Sequence, residues 1–233
     1  MNRILNAAVS IFVLVFVTGN LVSAQTPEEL LIKVKEKIDK VNDYEANGRM
    51  RTNVIFIKAP VAKVKIYFKK PNKLRVKNES GISFIPKGAV NINLANLFMN
   101  NEQYDIIDIG KEAVTGFRVL KLLPKDENSD VVLSTLYIDE KLLLIRKTKT
   151  TTKDNGTYEL ELTYGKYAAY GLADKVLLSF NTKDYKLPKG VTFDYDDGEK
   201  TATDNKLKDK KGKVEISYSD YIINKGIPDS VFQ

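Results

Sequence analysis

From Ala62 to Lys69 the chain alternates strictly, with Ala62, Val64, Ile66 and Phe68 on one parity and Lys63, Lys65, Tyr67 and Lys69 on the other. Successive side chains of a strand point to opposite faces, so this run fits a strand with one apolar and one wet face and does not fit a helix. Lys70-Pro71-Asn72 then turns the chain, and Leu74 and Val76 resume the apolar parity against Lys73, Arg75 and Lys77. The segment reads as an antiparallel hairpin, with Met50 to Ile57 as the strand before it.

The second half repeats this habit. Leu133 to Ile138, Leu142 to Thr152, Thr157 to Tyr164 and Val214 to Tyr221 all read as extended. Asp154-Asn155-Gly156 is a two-residue hairpin signal, because Asn and Gly accept the positive φ of a type I′ turn. Asp197-Gly198 marks a further turn, and Lys200 to Lys213 is polar enough for a long loop. Many strands without the spacing of strand–helix–strand units predict a mainly antiparallel sheet. One stretch breaks the alternation: Ile82 to Gly88 runs into Asn91 to Asn101, where Ile92, Leu94, Leu97, Phe98 and Met99 cluster among several Asn. A short helix or a lid-like loop suits that composition better than a strand.

A helix precedes the strands. Thr26-Pro27-Glu28-Glu29 has the form of a capping box, with Thr26 as N-cap, Pro27 in the first helical position and Glu29 in the third. Leu31, Val34, Ile38 and Val41 follow on one stripe, with Lys33, Lys35, Lys37 and Lys40 off it, and the helix is expected to end near Asn42-Asp43.

Residues 1–24 read as an export signal and not as part of the fold. Arg3 supplies the positive start, Ala7 to Val17 is apolar except for Ser10, and Val22-Ser23-Ala24 offers small residues to a signal peptidase. The apolar run is short for a membrane span, which needs about 20 residues. Cleavage after Ala24 leaves 209 of the 233 residues, as one domain over 25–233, and lowers the net charge from +7 to +6 by removing Arg3. Position 25 is Gln, so the mature chain has no cysteine to acylate and is expected to be a soluble exported protein.

Composition narrows the chemistry. The chain contains no Cys, His or Trp. Disulfides, thiolate nucleophiles, imidazole bases and histidine-ligated metals are therefore excluded, leaving carboxylates, Lys and Tyr. The acidic residues fall in turns, as in Asp126-Glu127 and Asp194 to Asp197, and no spacing singles out an acid and a base. The run from Asp194 to Glu199 offers calcium little beyond local charge, so no metal or cofactor is expected. The lysines are spread over strand faces without interleaved aromatic residues, which fits a solvated sheet face and argues against nucleic acid.

With these elements in place, Tyr67-Phe68-Lys69-Lys70-Pro71-Asn72-Lys73-Leu74-Arg75-Val76 resembles a hairpin of the LolA-like family of periplasmic lipoprotein carriers. Tyr104-Asp105-Ile106, Val119 to Lys125, Tyr137-Ile138-Asp139, Ile145-Arg146-Lys147 and Tyr158 to Tyr164 are similar to that family's later strands. Tyr221 to Asp229 with Phe232 is similar to its tail. The resemblance covers nearly the whole chain after the export signal.

The resemblance implies an incomplete antiparallel β-barrel, mainly β with an N-terminal helix, and short lid helices or loops over a hydrophobic cavity. It also implies a monomeric, non-enzymatic periplasmic carrier of acylated lipoproteins, working between an inner-membrane exporter and an outer-membrane acceptor. Ala62, Val64, Ile66, Phe68, Leu74 and Val76 would line the cavity, with Phe84, Leu97, Phe98 and Met99 in the lid. In the best-known carriers an Arg before the Pro-Asn turn holds the lid shut. Here that position is Lys70, a single ammonium in place of a planar fork of donors, and an exposed turn lysine is the alternative reading. A lipid-binding or RseB-like sensory module that does not transport lipoproteins is the alternative function. Members of that sensory family carry a further C-terminal domain, for which 209 residues leave little room.

Overall fold

The computed structural model describes residues 25–54, 57–58, 61–71, 73–80, 104–154, 156–181 and 211–233. It opens on helix α1, Pro27–Asp39, with the expected capping box. The Thr26 hydroxyl accepts from the Glu29 amide at 3.1 Å, and the Glu29 carboxylate accepts from the Thr26 amide at 3.2 Å. Leu30, Leu31 and Val34 are buried, so the apolar stripe is wider by Leu30 than the sequence pattern suggested.

Among the described residues eleven strands follow: β1 Asp43–Val54, β2 Ile57–Lys58, β3 Ala62–Lys69, β4 Lys73–Ser80, β5 Tyr104–Lys111, β6 Arg118–Pro124, β7 Val131–Asp139, β8 Leu144–Thr152, β9 Thr157–Thr163, β10 Lys175–Asn181 and β11 Lys211–Ile223. They form one antiparallel sheet ordered β4-β3-β1-β11-β10-β9-β8-β7-β6-β5, with β2 pairing only with β1. The end strands β4 and β5 are not paired with each other, so the barrel is incomplete. Short 3-10 helices lie at Ala168–Tyr170 and Asp229–Phe232.

Register carries one face of the sheet inward. A single cross-strand row runs Thr52, Val214, Leu178, Leu160, Thr148, Leu136, Leu120 through seven strands from β1 to β6, and every member is buried. Residues directly opposite in an antiparallel pair share a face, so the row lies wholly on the inner side. Leu30, Leu31 and Val34 of α1 join these side chains in one apolar core. The outer side carries Glu45, Lys65, Lys147, Glu159, Lys175 and Glu215, which form cross-strand ion pairs such as Lys175–Glu215 at 2.8 Å and Lys65–Glu45 at 3.0 Å.

Two strands differ most from the sequence expectation; elsewhere β8 begins at Leu144 and not Leu142, and β11 begins at Lys211, within the stretch expected as a loop. The first begins at Asp43, not Met50, and α1 ends correspondingly early, at Asp39. Its inward residues Tyr44, Ala46 and Gly48 include two too small to signal an apolar face. Gly48 is small for cause: a Cβ there would lie 3.1 Å from the Ser217 carbonyl oxygen and 3.4 Å from Ile66 Cδ1. The other is β10, where Leu177 beside Leu178 hides the period of two. Leu177 lies opposite Glu215 and Glu161 on the outer face, while Leu178 lies opposite Val214 and Leu160 within. The chain turns from β8 to β9 where expected, but the connection is longer than a two-residue turn: Thr151 pairs with Thr157, Thr152 N donates to Gly156 O at 2.9 Å, and Gly156 sits at φ 67°, while Asn155 lies outside the described residues.

Candidate functional site

The six residues predicted to line a cavity come together on the inner face of the β3–β4 hairpin. Ala62, Val64, Ile66 and Phe68 are buried, whereas Leu74 and Val76 on the edge strand are half-buried and pack against the core. The opposite edge mirrors this, since Tyr104 and Ile106 of β5 are also partly buried against the same core. Phe84, Leu97, Phe98 and Met99 lie outside the described residues, as does the stretch from Asp194 to Glu199.

Helix α1 bridges the two edges. Its body packs against β5, while its C-terminal end is held at the rim where β3 ends and β8 begins. Lys70 Nζ donates to the Asp39 carbonyl at 2.8 Å and sits 3.1 Å from the Asp39 carboxylate. Lys37 donates to the Leu142 carbonyl in the β7–β8 turn, and Asn224 Nδ2 donates to the Lys40 carbonyl at 2.7 Å. The last carbonyls of a helix lack internal partners and carry the negative end of its dipole, so a lysine and an amide are suitable donors there. Burial alone would raise the Asp39 pKa, but hydrogen bonds from Lys35 and Lys70 outweigh it and hold the carboxylate below its usual range. Lys70 is therefore a fastener, and among the described residues its partner is α1. No local signal marks Asp39 as that partner, because 31 residues separate the two.

A tyrosine cluster fills the same rim. Tyr221 stacks on Tyr218 at 5.1 Å between ring centroids and meets Tyr44 and Tyr167 edge-on at 5.2 and 4.9 Å. Tyr44 also packs against Phe68 at 5.3 Å. The Tyr221 hydroxyl donates to the Ala173 carbonyl at 2.6 Å. Withdrawal from water pushes the Tyr218 phenol up to about 12 and the Tyr44 and Tyr221 phenols well above their ordinary value.

The chain end is tied to the β3–β4 hairpin. Asp229 accepts from Lys69 at 2.7 Å and pairs with Lys73 at 2.9 Å, and Lys69 also donates to the Ile227 carbonyl at 2.8 Å. Hydrogen bonds from Lys69 and Lys73 lower the Asp229 pKa from 3.8 to about 2. A carboxylate depressed by folding stabilises the docked tail above its ordinary pKa, and that contribution disappears as the pH falls through the folded value. The Val231 amide resonance is accordingly expected to move in one step between pH 4 and about 2, and an Asp229→Asn variant should lack the step. An unchanged step in that variant would assign the transition to another group.

Sequence reasoning did not single out the hydroxyls on the inner face. Ser134, Thr148, Thr150 and Thr152 are buried there, and Ser134 Oγ lies 3.0 Å from Thr150 Oγ1. The signal was present in Lys147-Thr148-Lys149-Thr150, which alternates as cleanly as Lys63 to Lys69, but threonine does not announce a core face. Among the described residues no group of three or more acidic side chains is placed to hold a metal ion, and no helix is long and apolar enough to cross a membrane.

An open antiparallel sheet wrapped around an N-terminal helix, with an aliphatic inner face, is the LolA-like fold. Solved structures bear this out. A LolA superfamily protein from Nitrosomonas europaea superposes with a TM-score of 0.57 over 90% of this chain and 98% of its own, at 13% identity. A DUF1329 family protein from Desulfovibrio piger gives 0.53 over 88% and 95%, at 14% identity. A domain from Vibrio parahaemolyticus assigned to outer-membrane lipoprotein sorting gives 0.52 over 87% and 95%, at 13% identity. At such identities the likeness is one of fold. No sequence-family model matches the chain, and no curated protein sequence matches it significantly.

Proposed function

We propose that this protein is a periplasmic carrier that holds the acyl chains of lipoproteins against the inner face of the half-barrel and shuttles them from an inner-membrane exporter to an outer-membrane acceptor. One observation supports this reading above others: apolar side chains line the inner face from one unpaired edge to the other, and a fastened helix lies across it. Each acyl methylene left in water costs about 0.8 kcal/mol, so an anchor of about forty methylenes faces on the order of 30 kcal/mol in crossing unaided. An aliphatic interior removes that cost without demanding one particular cargo. Ala62, Val64, Ile66, Phe68, Leu74 and Val76 form the proposed contact surface, with Phe84, Leu97, Phe98 and Met99 as the proposed lid. No catalytic step is assigned.

The test is isolation of the exported protein from its own cells, native mass spectrometry of what accompanies it, and titration with a fluorescent acyl probe. Stoichiometric acylated lipoprotein is the expected companion; failure to take up any acyl probe would overturn the reading. Leu74→Glu is the informative variant, because Leu74 is half-buried on an edge strand and a carboxylate there should not unfold the chain. Probe affinity is expected to fall roughly tenfold to a hundredfold, since a charge beside bound acyl chain is poorly solvated. A second variant addresses the fastener. In Lys70→Met the helix end loses its ammonium partner, and probe exchange in stopped-flow displacement is expected to quicken roughly fivefold. An unchanged rate would remove α1 from the entry path.

A further inference from the structure

We infer that the inner face carries a polar subsite, centred on the Thr148 hydroxyl, that accepts a carbonyl oxygen of an acyl ester or amide. The inference rests on the carrier reading and names the part of the ligand that the half-barrel recognises. Thr148 lies fifth in the seven-strand inner row, directly opposite Leu136 of β7 and Leu160 of β9. Its relative exposure is 0%, and among the described residues its Oγ1 has no hydrogen-bond partner. A buried hydroxyl without a partner is destabilising, and valine has nearly the same shape without that cost. An ordinary filled core has no use for threonine at this position.

The neighbouring row extends the same chemistry. Tyr158, Thr150 and Ser134 are opposite one another in register across β9, β8 and β7, and Thr150 bonds to Ser134 at 3.0 Å. Those hydroxyls satisfy each other. Thr148, one step further along β8 toward α1, is left with a donor to offer. Both rows continue into aliphatic side chains, Leu120 and Leu136 in one and Leu122 and Ile106 in the other. A ligand seated here meets hydrocarbon on its flanks and one hydroxyl donor among the strands. An acyl chain that ends in an ester or amide carbonyl has this division of character, and a plain alkyl chain does not. Hydrogen bonding to the carbonyl oxygen would meet the need of Thr148 Oγ1 and fix the depth at which the chains sit.

The experiment compares, on the full exported protein, a synthetic diacylglyceryl-cysteine lipopeptide with its dialkyl ether analogue of equal chain length. Both compete against one fluorescent acyl probe. The wild-type protein is expected to prefer the ester lipopeptide about tenfold, the worth of one good neutral hydrogen bond. Thr148→Val should bind both lipopeptides equally, at the affinity of the ether, and melt no lower than wild type. Equal binding of ester and ether by the wild type would overturn the subsite and leave the carrier reading intact. So would a Thr148→Val variant that keeps the preference, or one that melts markedly lower and thereby reveals an internal partner for the hydroxyl. Failure of both lipopeptides to displace the probe would overturn the lipoprotein carrier reading and the subsite with it. A parallel pair of diester and diether phosphatidylglycerols separates the sources of the carbonyl. The same Thr148-dependent preference there assigns the subsite to acyl lipids in general, and its restriction to the lipopeptide assigns it to lipoprotein anchors.

Discussion

Replacing Tyr221 by alanine is expected to lower the free energy of unfolding by about 3 kcal/mol, and the melting temperature by roughly 10 °C for a domain of this size. The residue joins elements that are far apart in the chain. Its ring meets Tyr44 of β1, Tyr218 of its own strand and Tyr167 of the β9–β10 connection, with centroids 4.9 to 5.2 Å away. Its hydroxyl satisfies the Ala173 carbonyl at 2.6 Å. Truncation removes the ring contacts and leaves that carbonyl unpaired. Tyr221→Phe separates the two effects, because it keeps the rings and loses only the hydrogen bond, for a cost of about 1 kcal/mol. Urea unfolding of both variants is the measurement. Equal losses in the two would show that the ring cluster contributes nothing beyond the single hydrogen bond.

Asp43→Ala is expected to have an effect of similar size, about 2–4 kcal/mol, for a different reason. Asp43 is buried at the start of β1, and its Oδ1 accepts from the amides of Lys225 and Gly226 at 3.1 and 3.0 Å. Its own carbonyl accepts from the Asn224 amide at 2.9 Å. Asn224 sits at φ 56°, a left-handed conformation that asparagine tolerates, and its side chain reaches both the Asn42 amide and the Lys40 carbonyl at 2.7 Å. Losing the carboxylate therefore frees the reversal that turns the chain out of β11, and with it one of the ties on the end of α1. Asp43→Asn retains an acceptor oxygen and should lose less than half as much. Amide hydrogen exchange would locate the damage: rapid exchange at Lys225 and Gly226 is expected, with the centre of the sheet still protected. Uniform loss of protection would mean that Asp43 supports the whole sheet and not the tail alone.

These two sites and the Lys70 fastener meet at one rim of the half-barrel. There β1 starts and β3 and β11 end, and the last turn of α1 is tied down. Stability and the proposed opening of the interior therefore share residues. A carrier as proposed must hold its helix firmly enough to stay folded and loosely enough to admit cargo, and the Lys70 tie is one modest restraint beside those from Lys37 and Asn224.

Much of the inner face was legible from periodicity. Ala62 to Phe68, with Leu74 and Val76, reached the side the alternation assigned, because the side-chain period of a strand is two whatever lies beside it. The capping box at Thr26 formed as written, since it is a local contact among four residues, and the chain reverses after β8 where Asp154 and Gly156 mark it, through a longer turn than two residues. The edges of the pattern were harder. Tyr44, Ala46 and Gly48 concealed the first half of β1, and paired leucines concealed β10.

Chain-distant partnerships came only from the tertiary structure. β11 lies between β1 and β10, so Tyr44 meets Tyr221 and Asp43 meets Lys225 across nearly the whole length of the described chain. Nothing in the neighbourhood of either residue names its partner, because strand pairing depends on which edges are free when the sheet assembles. The same holds for Lys70 and Asp39 at the helix end, and for the isolation of the Thr148 hydroxyl among leucines. By itself the sequence determined which side chains of the β3–β4 hairpin face inward, through a local period. Which inward side chains meet, and that Thr148 Oγ1 has no partner among the described residues, was decided by register across seven strands.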